Sequence, residues 1–251
     1  MAVSLSIIEP GIGLLQVNRP QVRNALDWPA MQAFASCVAE AHRAVDLRAL
    51  IVTGAADIFI AGGDLKALHQ DTSQADGLRL ARLMGGALAH MESLSCPTIA
   101  ALDGPARGGG AEIALACDLR VMSESSDLGF VQITLGLTPG WGAGQRLLRL
   151  VGYSRALEWM ATGRILAAQE ALAHGLANRV VRRGQALEAA MDLARDIAAQ
   201  PAPAVQAVKR LLRLGLVLPP QTAAAAEQAF FPPLWAADEH LQAVDRFINR
   251  K

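Results

Sequence analysis

The chain has 251 residues, with 23 Lys and Arg balanced by 23 Asp and Glu. This zero net charge gives no reason to expect nucleic acid or an anionic membrane as a partner. A hydrophobic share of 52% with few aromatics excludes a disordered or collagen-like chain, and the length suits one large domain with room for a helical appendage. Cys37, Cys96 and Cys117 are odd in number and lack metal-ligand spacing, which matches a reducing compartment. No apolar run is long enough to span a bilayer, and the first residues lack the basic, apolar and small-residue pattern of a signal peptide. A cytoplasmic protein is expected. Its neutral charge and apolar content point to surface buried between copies.

Val3 to Glu9 and Ile12 to Val17 are short apolar segments around Pro10-Gly11 and predict a hairpin. Asn18 to Leu26 reads as a loop, after which Asp27 caps a helix carrying Met31, Phe34, Val38 and Ala41 at helical spacing, with Pro29 in its first turn. Leu47 to Thr53 is a near-continuous apolar run and so a buried strand. A glycine turn, Ile60-Ala-Gly-Gly-Asp-Leu65, opens a short helix, and Asp76 to Leu94 is a longer one. Pro97 to Leu102 and Leu119 to Ser123 are strands, and Gly129 to Gln145 is a glycine-dense loop. Helices are then expected at Ser154 to Thr162 and Ala167 to His174, with a last strand at Ala177 to Val181. The segments Leu187 to Ala199, Val205 to Leu214, Thr222 to Phe230 and Glu239 to Asn249 form an all-helical tail punctuated by prolines. The class is α/β, and a helical tail with no strands to cover needs a partner surface.

Ala100 to Arg120 organises the rest. It predicts a strand, a turn and a helix opening on Gly108-Gly-Gly110. Glycine is a costly helix start unless something must approach the backbone closely. The first amides of a helix lack intrahelical partners and carry partial positive charge, so they suit an oxygen that develops negative charge. Glu112 lies three residues past Gly109, on the same helical face, among Ala111, Ile113, Ala114 and Leu115. A carboxyl in apolar surroundings tends toward a raised pKa, which suits a proton carrier.

Four motifs now stand in register: Asn18-Arg-Pro with Asn24-Ala-Leu26; Phe59-Ile-Ala-Gly-Gly-Asp-Leu65; Gly108-Gly-Gly-Ala-Glu112 with Ala116-Cys-Asp118; and Leu135-Gly-Leu-Thr-Pro-Gly140 running on to Gln145-Arg-Leu147. In these the chain resembles the crotonase, or enoyl-CoA hydratase/isomerase, family over its whole length. The resemblance implies a core of stacked β-β-α units over residues 1–190 and a helical region over 191–251 used to form trimers or hexamers. It implies a coenzyme A thioester as substrate, with no metal or redox cofactor. It places the two oxyanion-hole amides on Gly63 and Gly109, with Glu112 as acid/base. It also puts Arg23, Ala25 and the turn Ala61, Gly62, Asp64 and Leu65 against the coenzyme, although for Asp64 a cap on its own helix is the favoured reading.

Family hydratases use a second glutamate, which falls here on Gln132, a side chain that neither takes up nor releases a proton near neutral pH. Three enzyme readings follow: a hydratase in which Gln132 positions the water, a one-carboxyl isomerase, and a decarboxylase of malonyl-type esters. Pro139-Gly-Trp-Gly142 and the Glu227…Trp235 spacing resemble the ethylmalonyl-CoA decarboxylase branch. Hydratase or isomerase chemistry ranks first. A non-catalytic acyl-CoA binder is the competing class. His69, Trp141, Trp235, Arg250 and Lys251 are lesser candidates, and His42, His90, His174 and His240 are scattered without metal-type pairing.

Overall fold

The computed structural model describes residues 1–249; Arg250 and Lys251, candidates for a coenzyme phosphate, lie outside the described residues. The hairpin forms as expected: β1 (Val3–Glu9) runs antiparallel to β2 (Ile12–Val17). Parallel strands β3 (Ala49–Gly54), β4 (Thr98–Leu102), β6 (Leu119–Ser123) and β9 (Arg179–Val181) extend it into one sheet of order β1-β2-β3-β4-β6-β9. The inner strands are buried on both faces, which is why they read as continuous apolar runs rather than alternating ones.

One face carries the larger core, where α1 (Trp28–Arg43), α3 (Gln74–Glu92) and α4 (Gly109–Ala116) pack around Leu15, Phe34, Leu50, Met84 and Ile113. The other face is covered by α8 (Ala186–Ala198), whose Ala190 and Ala194 meet Ile51, Ile99 and Val121. Asp103 caps α8 from the end of β4, accepting from Ala186 N at 3.0 Å and Leu187 N at 3.4 Å. The boundary expected at residue 190 therefore falls inside a helix that lines the sheet.

A second, three-stranded sheet of β5 (Ala106–Arg107), β7 (Asp127–Gly129) and β8 (Ile165–Ala167) was not expected. Its strands are too short to show periodicity, and Ala106 of β5 also bridges Ile60, in parallel, at the start of the first glycine turn. The loop expected over 129–145 contains a 3-10 turn (Val131–Leu135), and α5 (Ala143–Val151) begins inside it. Next come α6 (Tyr153–Thr162) and α7 (Ala168–Ala173). The tail is α9 (Ala202–Gly215), α10 (Pro220–Trp235) and α11 (Asp238–Ile248). Pro232 and Pro233 do not end α10 at Phe230 as expected; Gln228 and Ala229, whose carbonyls lose their helical partners, sit at exposed positions open to solvent.

The far end of α4 is held by a residue the sequence did not flag. Buried Arg120 donates to the carbonyls of Cys117 at 2.7 Å and Ala114 at 3.3 Å, and also to that of Leu176. A guanidinium at a helix C-terminus satisfies orphan carbonyls and complements the dipole.

Candidate active site

Asn24 is fully buried and holds the first glycine turn in place. Its Nδ2 donates to the carbonyls of Ala55, Ile58 and Phe59 at 2.8, 2.9 and 3.1 Å, and its Oδ1 accepts from Arg19 N at 2.8 Å. Leu26 N then donates to Gly62 O at 2.8 Å, while Leu26 O accepts from Asp64 N at 2.9 Å. That parallel bridge turns the Gly63 N–H to the opposite edge. Asp64 Oδ1 accepts from Ala67 N, capping α2 (Leu65–Leu68) as expected. Ala61 N donates to Arg23 O at 3.2 Å, so Arg23, Ala25 and the 61–65 turn gather in one place, with the Arg23 and Leu65 side chains exposed.

The two glycine turns meet backbone to backbone. A Cβ added to Gly62, whose φ is +97°, would lie 2.8 Å from Gly109 N; one on Gly110 would lie 1.7 Å from Ile60 O. Only glycine permits that approach. Gly109 is the first residue of α4, so its amide has no intrahelical acceptor.

Glu112, one turn along α4, is buried with 2% of its surface exposed and accepts four hydrogen bonds. Oε2 takes Trp141 N at 2.7 Å and Ala143 N at 3.0 Å; Oε1 takes Gln132 Nε2 at 2.9 Å and Gly140 N at 3.3 Å. Gly142, the N-cap of α5, has no side chain, so Glu112 caps that helix from across the site. Burial raises the Glu112 pKa above its ordinary value, and the backbone and Gln132 donors pull the other way. Gln132 Oε1 is buried and has no hydrogen-bond partner. The Trp141 ring lies against Gly109: a Cβ there would fall 2.1 Å from Trp141 Cζ3.

Other residues singled out from sequence lie apart from this cluster or serve packing. His69 is the exposed C-cap of α2. Trp235 is 59% exposed at the end of α10, between Phe231 and His240. Cys96 and Cys117 are buried, with thiols pushed up to about 11 and about 12. Among the described residues no three His, Cys, Asp or Glu side chains gather as a metal site would require, and no helix is long and apolar enough to cross a membrane. Sequence reasoning missed Asn24 as an organiser, Arg120, and the amides of 140–143. A lone arginine in the apolar run Leu119-Arg-Val-Met122 was the available signal for the second.

The profile of the enoyl-CoA hydratase/isomerase family matches residues 8–251. The chain belongs to that family. It is 36% identical over 242 residues to a probable enoyl-CoA hydratase of Rhizobium meliloti, covering 96% of this chain and 92% of that one. It is 32% identical over 248 residues to an ethylmalonyl-CoA decarboxylase of Gallus gallus, covering 98% and 83%. The crystal structure of an enoyl-CoA hydratase from Bacillus anthracis superposes with a TM-score of 0.95 at 30% identity, covering 100% of this chain and 97% of that one. The mixed α/β architecture is thus that of the enoyl-CoA hydratase/isomerase family, as the four motifs implied.

Proposed function

We propose that this protein adds water to a 2-enoyl-CoA thioester, with Gly63 and Gly109 as oxyanion donors, Glu112 as the one proton carrier and Gln132 as the residue that positions the water. The observation that carries this reading is the Gln132 amide: its nitrogen rests on Glu112 Oε1 while its oxygen, buried beside that carboxyl, has no donor. A water donating one proton to Gln132 Oε1 and the other to Glu112 Oε1 satisfies both. The two Glu112 oxygens divide the work. Oε2 is fixed by two short backbone bonds, whereas Oε1 has one long backbone bond and one side-chain donor. Glu112 Oε1 takes a proton as the water oxygen bonds to C3, electrons move to the thioester oxygen, and the amides hold the enolate. The same carboxyl then returns the proton to C2. Losing one oxyanion donor costs roughly 10²- to 10³-fold in other enzymes.

The coenzyme would lie along Arg23, Ala25, Ala61, Gly62, Asp64 and Leu65. The exposed apolar residues of α9 to α11, including Leu212, Leu216, Phe231, Phe247 and Ile248, support assembly into trimers or hexamers. A second reading, decarboxylation of an alkylmalonyl-CoA, is favoured by the Trp141 ring over Gly109, which makes one wall of the site apolar. The deciding experiment incubates the protein with 2-enoyl-, 3-enoyl- and alkylmalonyl-CoA esters and reads products by mass. Addition of one water to the 2-enoyl ester, reduced about 10²-fold in Gln132→Met, is expected. Loss of carbon dioxide instead selects the second reading, and coenzyme binding without turnover of any ester would refute both.

A further inference from the structure

The Gly140–Ala143 amides converge on Glu112 only if that loop keeps its shape, and one buried side chain is built into the loop to hold it. Arg146, on the first turn of α5, has a side chain only 10% exposed. Its Nη1 donates to Trp141 O at 2.7 Å, and its Nη2 donates to Glu92 Oε2 at 2.7 Å at the end of α3. The guanidinium also fills the space over Gly142, where an added Cβ would fall 2.7 Å from Nη1. Trp141 is therefore gripped from both ends of its backbone: its carbonyl by Arg146 and its amide by Glu112 Oε2. Glu92 in turn is shared with Arg213 of α9, at 3.4 Å. We infer that Arg146, anchored by Glu92, is a positioning residue that sets the hydrogen-bond donors on Glu112 and so tunes its proton affinity. This inference rests on Glu112 being the proton carrier proposed above, but its test does not depend on turnover.

The physical argument is one of fixed geometry. A planar guanidinium with two short charge-assisted bonds orients what it touches far better than a flexible group. Groups that orient the immediate partners of a working side chain are a recognised determinant of its chemistry. Removing Arg146 frees the Trp141 carbonyl, lets the loop relax, and lengthens the Gly140 and Trp141 bonds to Glu112. Each lost donor disfavours the ionised form, so the titration midpoint rises.

Charge alone gives a different sign for one variant, and that separates the explanations. The elements around Glu112 carry Arg146 and Arg149 on α5, Asp76, Arg79, Arg82, His90 and Glu92 on α3, and Arg107 on β5, which is paired with Asp127 on β7; of these, Arg146 and Glu92 form the pair that reaches the 140–143 loop. Replacing Glu92 by methionine removes a negative charge, which through space lowers the Glu112 midpoint. Through loss of the anchor on Arg146 it raises that midpoint instead.

The experiment labels glutamate carboxyl carbons with 13C and follows Glu112, assigned by its loss in Glu112→Gln, across a pH titration. Trp141 emission, isolated by difference from Trp141→Phe, is recorded in parallel. Expected is an upward shift of about 1 unit in Arg146→Met, a smaller upward shift in Glu92→Met, and partial recovery in Arg146→Lys without recovery of the Trp141 emission. If Arg146→Met does not fold, Glu92→Met decides alone by the sign of its shift. A midpoint that falls or stays put in Glu92→Met overturns the inference, whatever the activity. A normal upward shift in a protein that turns over no ester would leave the inference standing and refute the catalytic reading.

Discussion

Glu112 caps α5 as well as being the proposed proton carrier, so two substitutions that should equally abolish proton transfer should differ widely in stability. Glu112→Ala removes the acceptor of three backbone amides, Gly140, Trp141 and Ala143, and of Gln132 Nε2. A buried donor left without a partner costs about 1–3 kcal/mol. With water refilling part of the space, the loss comes to about 3–6 kcal/mol, a large share of the ~5–15 kcal/mol typical of a domain. In Glu112→Gln the amide oxygen keeps the Oε2 position and its two short bonds, while the NH2 group takes the Oε1 position. Gln132 then turns over and accepts from it with the oxygen that has no partner in the wild type. Only the 3.3 Å bond from Gly140 is lost, at about 1 kcal/mol. Both variants should lose hydration activity about 10²- to 10⁴-fold. Urea unfolding at one fixed protein concentration, followed by circular dichroism, measures the difference. An alanine variant that unfolds at the wild-type midpoint would show that these four bonds do not form in solution.

Three further outcomes are expected. Asn24→Ala strands the carbonyls of Ala55, Ile58 and Phe59 and puts alanine at a φ of +57°, so it should cost about 2–4 kcal/mol and speed amide exchange over residues 59–64; unchanged exchange there would remove Asn24 from its role. Gly109→Ala drives a methyl into the Trp141 ring and should lower both melting temperature and turnover, and it should cost less melting temperature in a Trp141→Ala background than in the wild type; a fully active, fully stable single variant contradicts the packing of that ring. The third concerns pH. Because burial raises the folded pKa of Glu112 above 4.5, its protonated form contributes stability that is complete below the unfolded value and lost as pH rises through the folded one. The stability of the wild type relative to Glu112→Gln should therefore decline from about pH 4.5 upward, and a rise over that range would mean that the four donors outweigh burial.

How far the sequence reached follows the range of the interactions involved. The hairpin, the inner strands and most helices are written in local patterns: Pro10-Gly11 between apolar segments, and Met31, Phe34, Val38 and Ala41 on one helical face. The placement of Glu112 beside Gly109 is also local, since both lie in one turn of α4. What surrounds Glu112 is not local. Trp141 and Ala143 stand about 30 positions away and contribute backbone amides, which every residue but proline has, so no side-chain pattern announces them. The second sheet escaped for a similar reason, with strands of two or three residues whose pairing is set by the chain returning from a distance. Asn24 and Arg120 were visible as polar residues in unusual company, yet the partners of their side chains are backbone groups, which again leave no trace in the sequence.

Under the proposed reaction, Glu112 serves both fold and proton transfer, and that accounts for an amide at position 132. A carboxylate there would stand within hydrogen-bond reach of Glu112 Oε1, and two negative charges in a buried pocket push one of the two groups toward protonation. Protonating Glu112 in that way would weaken the cap on α5, because the bonds from the Trp141 and Ala143 amides are strongest to an ionised oxygen. An amide avoids the conflict. It donates to the carboxylate when Glu112 is charged, and by turning over it accepts from the carboxyl once the proton arrives. The site therefore carries a single exchangeable proton on an oxygen whose neighbour stays fixed in both states. In the proposed hydration, that arrangement lets one glutamate carry the proton without loosening the helix it caps.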